Sequence, residues 1–409
     1  MRFTVLKMLQ LTSLVLWLST FSTTPIAQTR TVDPTLTAHE WGTFTSVAGS
    51  DGQAVEWRPL DLRTDLPGFV EHLNFVAFKQ GLRSTVRMET PVLYFYSPQE
   101  LTLSVQVAFP SGLITEWYPH ASTPAHNRGA DDAALFAKHV ANGQVAWNSV
   151  HVQPGWRGEF PREATPRSKF GIDVDLKGAE AASHYYAARE TSSAPLEVST
   201  PDGEQHEKFL FYRGVSFVSV PLSAKFGNDG SLHVKSALPD EIPSLILFER
   251  RGDRIGYRIT KPLPGGSEEV LQPPNLTARI ESLYGDLEGM LVAFGLYRDE
   301  AHAMIETWRN SWFEEGSRLF YIVPRPFVDS ILPLTITPAP AQTVRLFVGR
   351  VELISPATQK AVAEALASKD HAALDKYGRF LEPIMAVLAK NKMLPKGGWN
   401  DCPCPQPGH

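Results

Sequence analysis

Cysteine is nearly absent from this chain: of 409 residues only Cys402 and Cys404 carry a thiol, both within the last eight. No disulfide framework can staple such a sequence, so its stability has to come from a packed core. Long hydrophobic runs are also missing after Phe21, and nothing further on is long enough to span a bilayer. There is no basic block either. Lys and Arg number 39 against 44 Asp and Glu, a net charge of −5, which argues against nucleic acid as a partner because a phosphate surface needs clustered Lys and Arg. The sequence has no phosphate-binding glycine loop, no nucleophile elbow and no metalloprotease helix, so the commonest hydrolase and nucleotide-binding classes have no support.

What is present begins with residues 1–27. Arg2 and Lys7 precede an apolar run from Met8 to Phe21, and Ala27 offers a small residue for cleavage ahead of Gln28-Thr29-Arg30. This reads as an export signal, with Pro25 an unusual residue near the cut. The expected mature protein is soluble, lies in the periplasm or outside the cell, and has no membrane span once the signal is removed.

Hydrophobic content of 43% is ordinary for a packed globular protein, and 32 Pro with 29 Gly imply many turns. The fold class expected is α+β: a β-rich body over 28–260, either an antiparallel sandwich or a large open sheet, then a Pro/Gly-rich linker at 261–274. An α-helical hairpin, further strands and C-terminal helices follow over 275–395, with a Pro/Cys tail at 396–409.

The strongest strand signal is 101–109, where Leu101, Leu103, Val105, Val107 and Phe109 alternate with smaller or polar residues. With Pro91–Tyr96 and Leu113–Tyr118 it suggests a meander. Phe209–Tyr212, Ser231–Val234 and a hairpin of 245–248 with 255–259 read as further strands. A short helix is expected over 131–142. Leu276–Ala293 has helical spacing, Asp299 would cap a helix over 300–313, and Ser355-Pro356 opens another. Residues 370–390 read as helix split or kinked at Pro383.

Several constellations carry chemistry-bearing residue types. His302 and Glu306 stand four apart on one helix, the spacing at which an imidazole and a carboxylate share a metal or pair as base and orienting group. His39-Glu40-Trp41 lies on an expected strand, where neighbours point to opposite faces, so one cavity cannot receive both His39 and Glu40 without a bulge. Glu116-Trp117-Tyr118-Pro119-His120 ends a strand, an arrangement suited to a glycan site: a carboxylate for acid/base work beside aromatic faces. Glu89 and Tyr212-Arg213 are supporting positions, with Arg213 and Arg325 able to grip a carboxylate or phosphate.

The catalytic candidates are thus Glu40, Glu116 and Arg213; the substrate-binding ones Trp41, Trp117, Tyr118, Tyr212 and Arg325; the metal ligands His39, His120, His302 and Glu306. Cys402 and Cys404 can form a small strained disulfide, link to another chain or lie in a disordered tail, or join His409 in holding a soft metal such as copper or zinc. Asn275 is a glycosylation acceptor or a helix cap. The sequence leaves the cofactor unknown.

His39–Thr45 (HEWGTFT), Glu89–Tyr96 (ETPVLYFY), Thr115–Pro119 (TEWYP) and the 296–325 segment resemble a set of uncharacterised exported bacterial proteins with no assigned activity. That resemblance implies a secretory origin and carries no catalytic residue across. Three functions follow as expectations: a hydrolase or lyase acting on a small molecule, glycan or envelope conjugate through Glu40 and Glu116, a zinc or copper enzyme using the His set, or a non-catalytic β-sandwich binding protein.

Overall fold

A computed structural model describes residues 31–60, 66–73, 82–122, 142–162, 184–227 and 229–394. The proposed signal, residues 131–141 of the helix expected over 131–142, and the Cys402/Cys404/His409 tail lie outside these residues. The fold is α+β and dominated by strands.

Its centre is a nine-stranded sheet. In spatial order the strands are β13 (Arg254–Ile259), β12 (Leu245–Arg251), β15 (Gly316–Ile322), β17 (Ala339–Leu353), β1 (Val32–Ala48), β3 (Val86–Tyr96), β9 (Leu210–Ser216), β5 (Gly112–Tyr118) and β2 (Glu71–His72). A five-stranded sheet runs β16 (Leu334–Thr337), β4 (Leu101–Pro110), β6 (Asn142–Val152), β7 (Leu196–Thr200), β8 (Gly203–Glu207). A three-stranded one runs β10 (Leu222–Phe226), β11 (Leu232–Ser236), β14 (Glu268–Leu271).

Both faces of the central sheet are covered. On one face Phe44, Met88, Phe347 and Val351 join Leu103, Val105 and Val107 of β4, Trp147 of β6, and Leu232 and Val234 of β11 in one core. On the other, Trp41, Tyr94, Phe320 and Val348 pack against α1 (Ile280–Ala293) and α2 (Arg298–Trp312) through Leu287, Leu291, Met304 and Trp308. A third core holds Val47 and Trp57 against α4 (Pro356–Ser368), α5 (His371–Asp375) and α6 (Leu381–Lys390). α3 (Arg325–Ile331) connects β15 to β16. A strand covered on both sides buries every side chain, which is why β1 is buried continuously from Ala38 to Ala48.

Several sequence expectations are corrected here. The meander is not formed: β3 and β5 lie in the central sheet while β4 lies in the five-stranded one, so the chain crosses between layers at each turn. Residues 261–274, expected as a linker, contain β14, which pairs with β11, and strands from either side of them share the central sheet, with β1 parallel to β17. α2 is capped at Tyr297 rather than Asp299, its backbone N–H donating to Glu300 Oε2 at 2.7 Å. Asn275 caps nothing, since α1 starts at Ile280. Pro383 sits in the first turn of α6, where its missing N–H costs little. The β12–β13 hairpin and the Ser355 cap of α4 stand as read.

Gly349 faces Tyr321 across β15 and β17, and a methyl group there would meet the Tyr321 ring at 2.0 Å. Gly349→Ala is expected to cost about 1–3 kcal/mol by overpacking, read as a lower urea midpoint with the denaturant slope unchanged. No loss of stability would show that the Tyr321 ring has room to move aside there.

Candidate functional site

The residues singled out from sequence are mostly held inside the sheet. Glu40 is fully buried and accepts from Tyr212 Oη at 2.5 Å and from Arg345 Nε at 2.5 Å. Arg345 also donates to Asp329 and to the Leu332 carbonyl, and Asp329 accepts from Arg325 Nε at 2.7 Å. A chain of polar contacts therefore runs from Tyr212 through Glu40, Arg345 and Asp329 to Arg325. Arg325 lines a pocket of about 350 Å³ at the start of β17.

Glu116 does not meet Glu40. On β5 and β9 Trp117 pairs with Tyr212 and Glu116 with Arg213. Neighbours on a strand point to opposite faces, and Trp117 and Tyr212 share the core beneath β4. Glu40 bonds to Tyr212 on that face, while Glu116 and Arg213 face the other. The two carboxylates therefore cannot flank one scissile bond. The Thr115 hydroxyl donates to Glu116, and Arg213 reaches Thr90 Oγ1 at 3.4 Å. Trp41 and Tyr118 are core residues beneath the helices, and Trp117 donates to Glu71.

The four proposed metal ligands are scattered. His39 Nδ1 lies 2.8 Å from Glu300 Oε2, both side chains fully buried. His120 pairs with Glu71, His302 lies near Glu288, and Glu306 pairs with Arg309. Each imidazole thus has a carboxylate neighbour from another part of the fold. The expectation that His39 and Glu40 diverge holds: one reaches α2, the other the opposite face.

Elsewhere, a groove of about 670 Å³ opens at the start of β1 and the end of β3. One wall carries the hydroxyls of Thr35, Thr37 and Ser97 with Tyr96; the loop after β6 supplies Trp156, Arg157 and Phe160; the segment before β7 and the residue after β8 supply Ser192, Ser193 and Lys208.

Each wall is braced from behind. Tyr96 donates to Glu300 Oε1 at 2.8 Å, and burial beside the Glu300 carboxylate pushes its phenol far above the usual range. Lys208 Nζ donates to the carbonyls of Thr191 at 3.0 Å and Ser193 at 2.7 Å. Burial lowers its pKa, and Arg157 pushes the same way. Arg157 Nη1 donates to the Pro154 and Trp156 carbonyls, tying down its own loop.

Among the described residues lining the groove there are two cations and no carboxylate or imidazole. Such a wall can hold an anion with hydroxyl and aromatic neighbours, and it offers no paired acid and base. None of Glu40, Glu116, Arg213, Trp41, Trp117, Tyr118 or Tyr212 lines it. Sequence reasoning missed it because its residues are ordinary types drawn from separate segments. The one local signal was Gln153-Pro-Gly-Trp-Arg-Gly158, an aromatic and a cation in a turn-rich stretch.

No protein-family model matches this chain, and no curated protein does. Among solved structures, the yeast delta-COP-I mu-homology domain complexed with a Dsl1 WxWxV peptide aligns at 7% identity and a TM-score of 0.27, covering 78% of this chain and 95% of that one.

Proposed function

We propose that this protein is an exported binding protein for an acidic glycan or similar hydroxyl-rich polyanion of the cell envelope, held in the groove between β1, β3 and the β6–β7 connection. The observation that carries the reading is the pairing of Lys208 and Arg157 with hydroxyl and aromatic walls, with no acid among the described lining residues. Carboxylates of the ligand would take the remaining N–H donors of the two cations, and sugar hydroxyls would exchange hydrogen bonds with Thr35, Thr37 and Ser97. Export rests on the first 27 residues, and among described residues no helix is long and apolar enough to cross a membrane.

The hydrolase or lyase alternative loses its acid pair, since Glu40 and Glu116 lie on opposite faces of one sheet. The binding reading needs no such pair. Affinity electrophoresis through gels containing polygalacturonate, with neutral dextran as the comparison, tests it. Retardation is expected in the acidic gel only, weakening with added salt. Lys208→Ala combined with Arg157→Ala should weaken it about tenfold or more, the size of a lost charge-assisted hydrogen bond. Equal retardation by dextran, or none by either polymer, would overturn the proposal.

A further inference from the structure

Behind the Trp156 wall, the hairpin of β7 and β8 gathers a second set of groups. Glu197 and His206 are direct cross-strand partners, and Glu204 stands opposite Ser199, two residues before His206 on the same strand. Residues two apart on a strand share a face, so all three side chains project to one side. Their ligand atoms lie within 4.8 Å of one another, the one such grouping of three or more His, Cys, Asp or Glu side chains among the described residues.

The geometry points to a divalent transition-metal site, with Glu197, Glu204 and His206 as the protein ligands. The first reason is spacing. His206 Nε2 and Glu197 Oε2 are 3.3 Å apart, beyond the usual N–H···O separation. With metal–ligand bonds of about 2.0–2.2 Å, neighbouring donors around one ion sit about 3.0–3.5 Å apart.

The second reason is that two of the three ligands are held in orientation. The Trp156 ring stacks on His206 with centroids 4.5 Å apart and planes 10° apart, fixing the imidazole plane. Gln153 Nε2 donates to Glu197 Oε2 at 2.8 Å, as groups supporting a metal ligand do. The third is charge: two carboxylates and a neutral imidazole balance a dication, and among the described residues no Lys or Arg forms an ion pair with Glu204. One imidazole with two carboxylates suits zinc or manganese and leaves coordination positions for water. The site does not rest on the binding reading of the groove.

The test is titration with Zn²⁺ by calorimetry and with Co²⁺ by visible absorption, on tag-free protein carrying Cys402→Ser and Cys404→Ser so that the tail thiols cannot contribute. One ion per chain is expected. Glu204→Gln should weaken it about tenfold or more. Because Glu204 is exposed, that variant should keep the unfolding midpoint of the parent without metal. Zinc should raise the midpoint of the parent and not of the variant. Binding that survives both Glu204→Gln and Glu197→Gln unchanged, or no saturable binding at all, would sink the site. So would binding seen only while the two cysteines are present.

Discussion

Replacing Glu40 by alanine is expected to cost about 3–5 kcal/mol of folding stability, the usual penalty for removing one partner of a buried ion pair. The carboxylate is fully buried and receives both Tyr212 Oη and Arg345 Nε. Without it the Arg345 guanidinium, whose side chain is 1% exposed, keeps Asp329 and the Leu332 carbonyl but loses the acceptor for Nε. Burial alone would lower the Arg345 pKa; the Glu40 carboxylate and the Tyr212 oxygen more than offset it and hold it raised. A guanidinium keeps its proton in a protein whether or not it is paired, so in the variant its desolvation goes uncompensated. Urea unfolding followed by tryptophan fluorescence measures the loss. Tyr212→Phe removes one hydrogen bond to the same carboxylate and should cost less, about 1–3 kcal/mol. A Glu40→Ala protein as stable as its parent would show that the contact contributes nothing to the fold and would reopen the case for a chemical role.

This network explains how a motif dense in functional residue types turned out to be architecture. His39-Glu40-Trp41 sits on β1, which is covered on both faces, and a carboxylate or imidazole buried there is costly unless it finds a partner. His39 finds Glu300 at the start of α2, and Glu40 finds Arg345 on the parallel neighbour. Local pattern shows the residue types but not the partners, because the strand register that brings Arg345 beside Glu40 joins distant parts of the chain.

Where the structure depends on local periodicity, the sequence was readable. Leu103, Val105, Val107 and Phe109 alternate inward on β4 as their spacing suggests, and the α1–α2 hairpin follows from apolar residues three and four apart. Pairing was not readable, since β4 alternates in the same way whether its partner is β3 or β6. The groove was hidden for a related reason. Thr35, Ser97 and Lys208 are unexceptional alone and line one groove only because the start of β1 and the ends of β3 and β8 meet at one place. Glu204-Gln205-His206, by contrast, was a missed local signal: two ligand types two residues apart in a strand share a face.

Glu89 supplies the largest expected pH effect. It lies on β3, 1% exposed, with Arg379 Nη2 2.9 Å from its carboxylate. Burial pushes its pKa up, but Arg379, Arg87 and Arg350 together outweigh burial and bring it from the ordinary 4.5 down to about 2. The sign follows directly: in the folded state the proton is held more weakly than in the unfolded chain, so the contact stabilises the fold above pH 4.5. That stability fades as the pH falls through 4.5 and is gone below about 2. The difference is worth about 3 kcal/mol at neutral pH.

Arg379 lies over Trp57 and Phe380, and Arg350 over Phe380, so these guanidiniums link Glu89 to the third core and its helices. Glu89→Gln should therefore unfold at a lower urea concentration than the parent at pH 6. The gap should narrow between pH 4.5 and 2, where the parent loses its own ion pair. Hydrogen exchange should show α4 to α6 losing protection before β1 and β17, because the helices depend on the arginine link while the strands also have their ladder. A gap that stayed constant with pH would mean that Glu89 titrates normally in the folded protein, and that the arginines around it answer to other partners.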